Sequence, residues 1–388
     1  MIPYLKRFFK NFDYPLFFVY LALSLFGLVM IYSASMGWAV LNYDREPDYF
    51  FDKQIKNLVI AIPMFFLAAF FPYKHYKSRA MMQLMLIVMF ILLILVHFIG
   101  TGGESGSQSW IHLGFGNIQP SEIAKIVIVL YFAGIFTKKY EKGTLDKLNE
   151  SVGPPLIVLF FVFVLIMMET DVGNTMIISF VAISVIAASG IKLKSFSKLV
   201  GLIGIVILMG LFVIYIMKDQ LQMEKRLGRL GAFLHPFEDE LGFGYQIVNG
   251  YIAIGSGGLK GLGLGNSNQK FGYLPEPHTD FIMAIIAEEL GLIGVLIVMC
   301  GLFFLVFKGI SIALSTRDPQ ARMIAAGIAS IIGFQTFVNL GGMLGLIPLT
   351  GVTLPFISYG GTSIILLSAA IGILMNVSMF VKHEKSKE

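Results

Sequence analysis

The chain has 388 residues, 56% apolar and 14% charged, with a mean hydropathy of +0.79. A water-soluble surface needs roughly 25% charged residues, so a soluble domain is excluded and an all-α integral membrane protein is expected. The single Cys300 excludes an intrachain disulfide and a cysteine metal cluster, and the formal charge of +5 is explained by membrane topology rather than by nucleic acid.

Each span requires about 20 mainly apolar residues. Apolar runs predict ten transmembrane helices, at 14–34, 55–72, 80–99, 118–136, 153–169, 171–190, 197–217, 280–307, 320–346 and 354–381. They form a single polytopic domain over 1–388. The first run is about 20 residues long and lacks a small-residue cleavage site, so it reads as a span and not a cleavable signal. Glu169 and Asp171 alone divide the fifth run from the sixth. Cytoplasmic loops favour Lys and Arg. With the N-terminus inside, the inner segments hold 19 of the 29 basic residues, including Lys6, Lys74, Lys138, Lys192, Arg317 and Lys382. Outer segments hold Asp44, Glu46, Asp48, Glu104, Glu238, Asp239 and Glu240. Ten spans return the basic C-terminus to the cytoplasm.

Ionisable side chains inside spans are costly and mark function by default. Glu122 and Lys125 in the fourth span are spaced i,i+3, on one helical face, where they can pair. A salt bridge that only positions the helix is the plainer alternative to a pair lining a polar cavity. Asp171 precedes the sixth span, where it suits an N-cap and also a meeting with Lys125.

The long outer loop, 218–279, separates spans seven and eight. Loops of that length are usually functional or disordered. Its semi-apolar stretch from Tyr245 to Ile254 predicts a short interfacial or re-entrant helix. Glycines at 255, 257, 258, 261, 263 and 265 suit turns that admit a ligand to the backbone; with no strand before a helix, they are no nucleotide fingerprint. Arg226, Arg229, Lys260 and Lys270 are basic on the outer side and suit an anionic head group such as pyrophosphate. For any one of them, a solvated place at the lipid surface is an equal reading.

The loop ends in Pro275-Glu276-Pro277-His278-Thr279-Asp280. Thr279 suits an N-cap for span eight, which puts Asp280 in the first turn near the outer surface, as a capping acid or as a general base on a membrane-bound substrate. Glu288 and Glu289 follow within the span and need partners, so at least one is expected to face the interior. The run Pro355 to Ser363 bends or closely packs the last span, and Ser358 lies within it.

Taken together these pieces resemble the SEDS family of cell-wall polymerases, the FtsW/RodA group, over nearly the whole chain. The matching stretches are Tyr32-Ser33-Ala34-Ser35; Ser109-Trp110-Ile111 with Gln119-Pro120-Ser121-Glu122; Asp171-Val172-Gly173-Asn174-Thr175; Gly261 to Gly265; Pro275-Glu276 through Phe281 with Glu288-Glu289; and Pro355 to Ser363. Asp48 to Phe51, Asn266 to Lys270 and Gly351 to Leu354 are more similar to the FtsW branch than to RodA. Pro277 departs from the family, which commonly has Ala or a polar residue there, and implies a stiffer backbone beside Asp280.

The resemblance implies an inverting glycosyltransferase that polymerises lipid II outside the membrane, in septal wall synthesis, with Asp280 as the catalytic base. It implies a substrate-binding set of Trp110, Glu122, Lys125, Asp171, Arg226, Arg229, Lys270, His278 and Ser358. Arg226, Arg229 or a divalent cation (Mg or Mn) would stabilise the pyrophosphate, with no organic cofactor. The implied partners are a class B penicillin-binding protein transpeptidase, other division proteins and membrane lipid; the implied place is the bacterial cytoplasmic membrane at the division septum. RodA-type elongation, a lipid II flippase and a non-catalytic scaffold are the competing readings.

Overall fold

A helix occupies every apolar run. The computed structural model describes residues 10–101, 109–113, 116–145, 153–169, 171–216, 231–238, 242 and 244–387. In chain order the elements are α1 (Tyr14–Tyr43), α2 (Tyr49–Phe70), a short 3-10 turn (Tyr73–Lys77), α3 (Arg79–Ile99), a hairpin of β1 (Ile111–Leu113) and β2 (Gly116–Ile118), α4 (Pro120–Glu141), α5 (Gly153–Met168), α6 (Val172–Ala188), α7 (Leu193–Ile216), α8 (Tyr245–Gly257), α9 (Ile282–Ser315), α10 (Pro319–Met343) and α11 (Thr362–Lys385). The hairpin pairs Ile111 with Ile118 and Leu113 with Gly116, antiparallel.

Among the described residues, seven helices are long and apolar enough to cross a bilayer, and α5 and α6 are apolar but shorter, at 16 and 17 residues. The boundaries differ from expectation where local chemistry overrides the apolar run. α2 begins at Tyr49, six residues before the expected 55, because its first turns carry Asp52 and Lys53 and so lie outside the apolar stretch. α11 begins at Thr362 rather than 354: Phe356 at φ 64° and Gly361 at φ 46° place left-handed backbone where the span was expected. Thr279 is not an N-cap. The helix starts at Ile282 with Phe281 as its N-cap, and the Thr279 hydroxyl donates instead to the Glu276 carbonyl at 2.8 Å.

α4, α10 and α11 bury most of their surface, whereas α2, α3 and α9 bury little of theirs. The outward faces are apolar, with Leu84, Ile87 and Ile91 on α3 and Ile293, Leu296 and Phe303 on α9. Hydrocarbon is the solvent that suits such a surface. At the centre α11 lies along α2, and Gly372 gives it room against the Phe65 carbonyl. Such small residues let helix backbones approach where apolar burial supplies no drive between helices.

The start of α1 and the last turns of α11 lie on one face. Asp13 meets Lys382 at 3.0 Å and Lys308 at 3.2 Å, and accepts from Ser378 at 2.7 Å. Burial opposes the ionisation of Asp13, yet the Ser378 bond and the charges of Lys382 and Lys308 hold its carboxyl below the usual carboxylate range. Tyr73 donates to Asp318 at 2.5 Å and its carbonyl accepts from Gln320, stitching α10 to the same face. The opposite face carries the hairpin, α8 and the segments 258–281 and 344–361.

Candidate functional site

Two buried ionic groups lie under that opposite face. The first is built on the start of α4. Pro120 opens the helix with its fixed φ, and Glu122 and Lys125 follow one turn apart. Lys125 Nζ lies 2.7 Å from Glu122 Oε1 and donates to Gln335 Oε1 at 2.8 Å; both charges are buried. Glu122 Oε2 accepts from Ser363 at 3.4 Å, which brings α11 to the pair. The i,i+3 pairing expected from sequence is present.

Asp171 does not join Lys125. It caps α6, with Oδ1 accepting from the Asn174 amide at 3.0 Å. Its Oδ2 accepts from Gln119 at 3.0 Å, Ser121 at 3.1 Å and the Asn174 side chain at 2.7 Å. Neutral donors therefore satisfy Asp171, while Lys125 is taken by Glu122 and Gln335. Beside it, the Glu169 carboxylate is buried and meets no donor among the described residues.

The second group stands at a break in α9. Gly291 has φ 65° and ψ −160°, so the helical ladder is interrupted there. Freed carbonyls at membrane depth must find donors elsewhere. The loop after α8 supplies them: Leu262 N donates to Glu288 O and Gly263 N to Glu289 O, both at 2.9 Å, while Leu292 N turns to Gly258 O at 3.1 Å. Gly257 and Gly261 make this possible, because a Cβ on either would collide with the α9 backbone. Two of the glycines expected to admit a ligand, Gly257 and Gly261, thus admit a helix of the same chain.

The carboxylates at the break are buried, Glu289 with 0% exposure. Glu289 pairs with Lys270 at 2.8 Å and accepts from Ser33 at 2.7 and 2.8 Å. Glu288 accepts from the Ser267 hydroxyl and from the Asn268 amide at 3.0 Å. Both face the interior, so the expectation for this pair holds. Lys270, expected to bind substrate, is a fully buried partner of Glu289. Distance in sequence concealed that pairing.

Asp280 is half-buried one residue before the N-cap of α9. Its Oδ1 lies 3.1 Å from the Thr279 hydroxyl, whose one proton goes to the Glu276 carbonyl, and its own carbonyl accepts from Asn339 at 2.8 Å. His278, two residues earlier, is not placed to bind substrate. Its ring is buried, 4.0 Å from the centroid of Phe50 and 5.5 Å from that of Tyr359, and its carbonyl accepts the Tyr359 amide. Burial pushes the imidazole down to about 3, so it is neutral, and pushes the Tyr359 phenol up to about 12, with Tyr49 adding to the shift. The aromatic cluster is an anchor joining α2, the long loop and the segment before α11.

Ser358 is also committed inside the fold: its buried hydroxyl accepts the Leu354 amide at 2.8 Å, closing the turn around Phe356. Trp110 is half-buried beside the hairpin and its ring lies 4.0 Å from where a Gly361 Cβ would stand, against that same turn. Arg226 and Arg229 lie outside the described residues. Sequence reasoning missed Gln335 and Asn339, two buried amides four residues apart in α10, although paired amides in an apolar span were a readable signal. No three His, Cys, Asp or Glu side chains converge as a metal cage among the described residues, so they do not form a protein-only divalent site.

Fold and site together define a polytopic all-helical membrane protein whose buried ion pairs lie beneath a long loop bearing a half-buried carboxylate. The chain belongs to the FtsW/RodA/SpoVE family of cell cycle proteins, whose family model matches residues 14–383. It is 45% identical over 384 residues to the probable peptidoglycan glycosyltransferase FtsW of Bacillus subtilis strain 168, covering 99% of this chain and 94% of that one. Stage V sporulation protein E of the same strain is 39% identical over 376 residues, covering 96% and 98%. Among solved structures, rod shape determining protein RodA of Thermus thermophilus superposes with a TM-score of 0.63 at 24% identity, over 95% of this chain and 96% of that one. A chain of a peptidoglycan synthase complex, solved for the coordination of polymerization and crosslinking, superposes with a TM-score of 0.72 at 24% identity, over 95% and 98%. Those two likenesses establish a shared fold.

Proposed function

We propose that this chain is a peptidoglycan glycosyltransferase that polymerises lipid II at the outer face of the cytoplasmic membrane in septal wall synthesis. The observation that carries the reading is Asp280: a half-buried carboxylate on the long-loop face, beside the Thr279 hydroxyl and held at its carbonyl by Asn339. A general base must be positioned before its acidity matters. Asp280 takes the proton of the acceptor sugar's 4-hydroxyl; that oxygen attacks the donor's anomeric carbon; the bond to undecaprenyl pyrophosphate breaks and the pyrophosphate carries away the electron pair. One base and one displacement invert the α-linked donor to a β-linked product.

The leaving group's charge is assigned to Arg226 and Arg229. A divalent cation, Mg²⁺ or Mn²⁺, would add to that positive charge as a counter-ion of the pyrophosphate, and no step is assigned to it. The pairs Glu122–Lys125 and Glu289–Lys270 shape the site from beneath. Both termini are assigned to the cytoplasm, where their lysines satisfy the positive-inside rule. The assigned partner is a class B penicillin-binding protein, which cross-links the strand, together with other division proteins. RodA-type elongation is the same chemistry at another place in the cell.

The test is polymerisation of labelled lipid II by the purified complex with its class B partner, comparing wild type with Asp280→Asn. Loss of glycan chains with normal folding and partner binding supports the base. Near-wild-type polymer from the variant removes it, and no polymer from the wild-type complex favours a flippase or a scaffold.

A further inference from the structure

We propose that Gln335 and Asn339 are positioning residues that tie the backbone of Asp280 to the Glu122–Lys125 pair, an inference that rests on reading Asp280 as the base. The two amides stand four residues apart on one face of α10. Gln335 accepts from Lys125 Nζ at 2.8 Å and donates to the Thr353 carbonyl at 3.1 Å. Asn339 donates to the Val352 carbonyl and to the Asp280 carbonyl, both at 2.8 Å. A continuous polar line therefore runs from Glu122 through Lys125, Gln335, Thr353, Val352 and Asn339 to Asp280.

Neither amide is a substrate contact. Gln335 is 0% exposed and Asn339 4%. An amide buried inside a span costs free energy unless its bonds are needed, and leucine would fill the same volume without that cost. Asn339 uses its donors on two main-chain carbonyls, and its Oδ1 meets no partner among the described residues. Its orientation is thus set by where those carbonyls must be. Asp280 lies just ahead of a helix start that has no side-chain cap bond. A donor from α10 on its carbonyl fixes its Cα, and with it the direction of the carboxylate. Through Gln335 the same helix face registers whether Lys125 is in place.

The test uses the full complex with its class B partner and lipid II, and reads two quantities: steady-state rates, and hydrogen–deuterium exchange of the amides at 279–284. Asn339→Leu is expected to lower kcat about 10- to 100-fold with KM changed less than about 2-fold, because misplacing a base by about 1 Å costs turnover rather than ground-state binding. Exchange at 279–284 should quicken about 10-fold or more in the same variant. Asn339→Ser keeps one donor and should recover part of both; it also carries the test if the leucine variant does not fold. Gln335→Leu should quicken exchange at 352–354 and lower kcat. Wild-type kcat with wild-type exchange in Asn339→Leu overturns the proposal. So does a fall in kcat with unchanged exchange, which would make Asn339 a substrate contact. Asp280→Asn, run alongside, separates the two claims: full activity there removes the base, while the exchange data still decide whether Asn339 holds the loop.

Discussion

Lys270 Nζ lies 2.8 Å from Glu289 Oε1, and both side chains are fully buried. An ammonium has three donors. Here they reach Glu289, the Gly265 carbonyl at 2.7 Å and Ser33 at 3.3 Å, which leaves none for a phosphate. The pair holds the long loop, α1 and the upper part of α9 together. Removing one partner of a buried pair strands the other, at a cost of about 3–5 kcal/mol. Lys270→Met should therefore lower the melting temperature of the purified protein sharply, and Lys270→Met with Glu289→Leu should recover much of the loss. A lysine that bound pyrophosphate would behave differently: its loss would weaken substrate binding and leave melting unchanged.

The docking of the 258–263 loop into the break of α9 makes a second prediction. Gly261 has φ +77°, and a Cβ there would meet the Glu289 carbonyl. Strained backbone alone costs of order 1–3 kcal/mol, so Gly261→Ala should destabilise by at least that and expose the loop to limited proteolysis. Gly255, inside α8, has open space around it and an ordinary φ. Gly255→Ala should stabilise by about 0.5–1 kcal/mol. Equal melting temperatures for the two variants would show that the docked loop is not part of the folded core.

Glu169 gives a third. Its carboxylate is buried without a donor among the described residues, two positions from the fully bonded Asp171. An ionised carboxylate in that place is far costlier than a neutral group. Glu169→Gln should therefore keep the melting temperature or raise it by the equivalent of about 1 kcal/mol, while Asp171→Ala, which removes a cap, should cost about 1–2 kcal/mol. A marked loss in Glu169→Gln would mean that the charge is used.

Much of this was legible in the sequence, and the rest was hidden for physical reasons. Composition and loop charge located ten helices because apolar length and basic flanks are properties of each segment alone. The Glu122–Lys125 pair was legible because helical spacing places both on one face. Lys270 and Glu289 were not, because their meeting depends on the chain folding back into a helix break that Gly291 creates. Thr279 and Ser358 read as a cap and a ligand; each spends its hydroxyl on a local turn that only the φ angles of Glu276 and Phe356 reveal. Gln335 and Asn339 carry no charge, so reasoning that weighs ionisable groups first passes over them.

His278 supplies a pH test of the aromatic anchor. Its ring is buried against Phe50 and Tyr359, and burial lowers its pKa from 6.5 to about 3. The unfolded chain takes up a proton on this histidine below about pH 6.5, whereas the folded protein does not until about pH 3. Folding stability contributed by neutral His278 is therefore complete above pH 6.5 and is lost as the pH falls towards 3, with a slope of at most about 1.4 kcal/mol per unit. Unfolding of the purified protein, followed at pH 7.5, 6.5 and 5.5 (about one unit apart), should show this loss in the wild type. His278→Phe keeps an aromatic ring in the cluster and cannot bind a proton, so it should remove that part of the slope while keeping stability near pH 7.5. An unchanged slope in His278→Phe would mean that His278 is hydrated and protonates in the folded protein, and would free its ring for the substrate contact that burial here denies it.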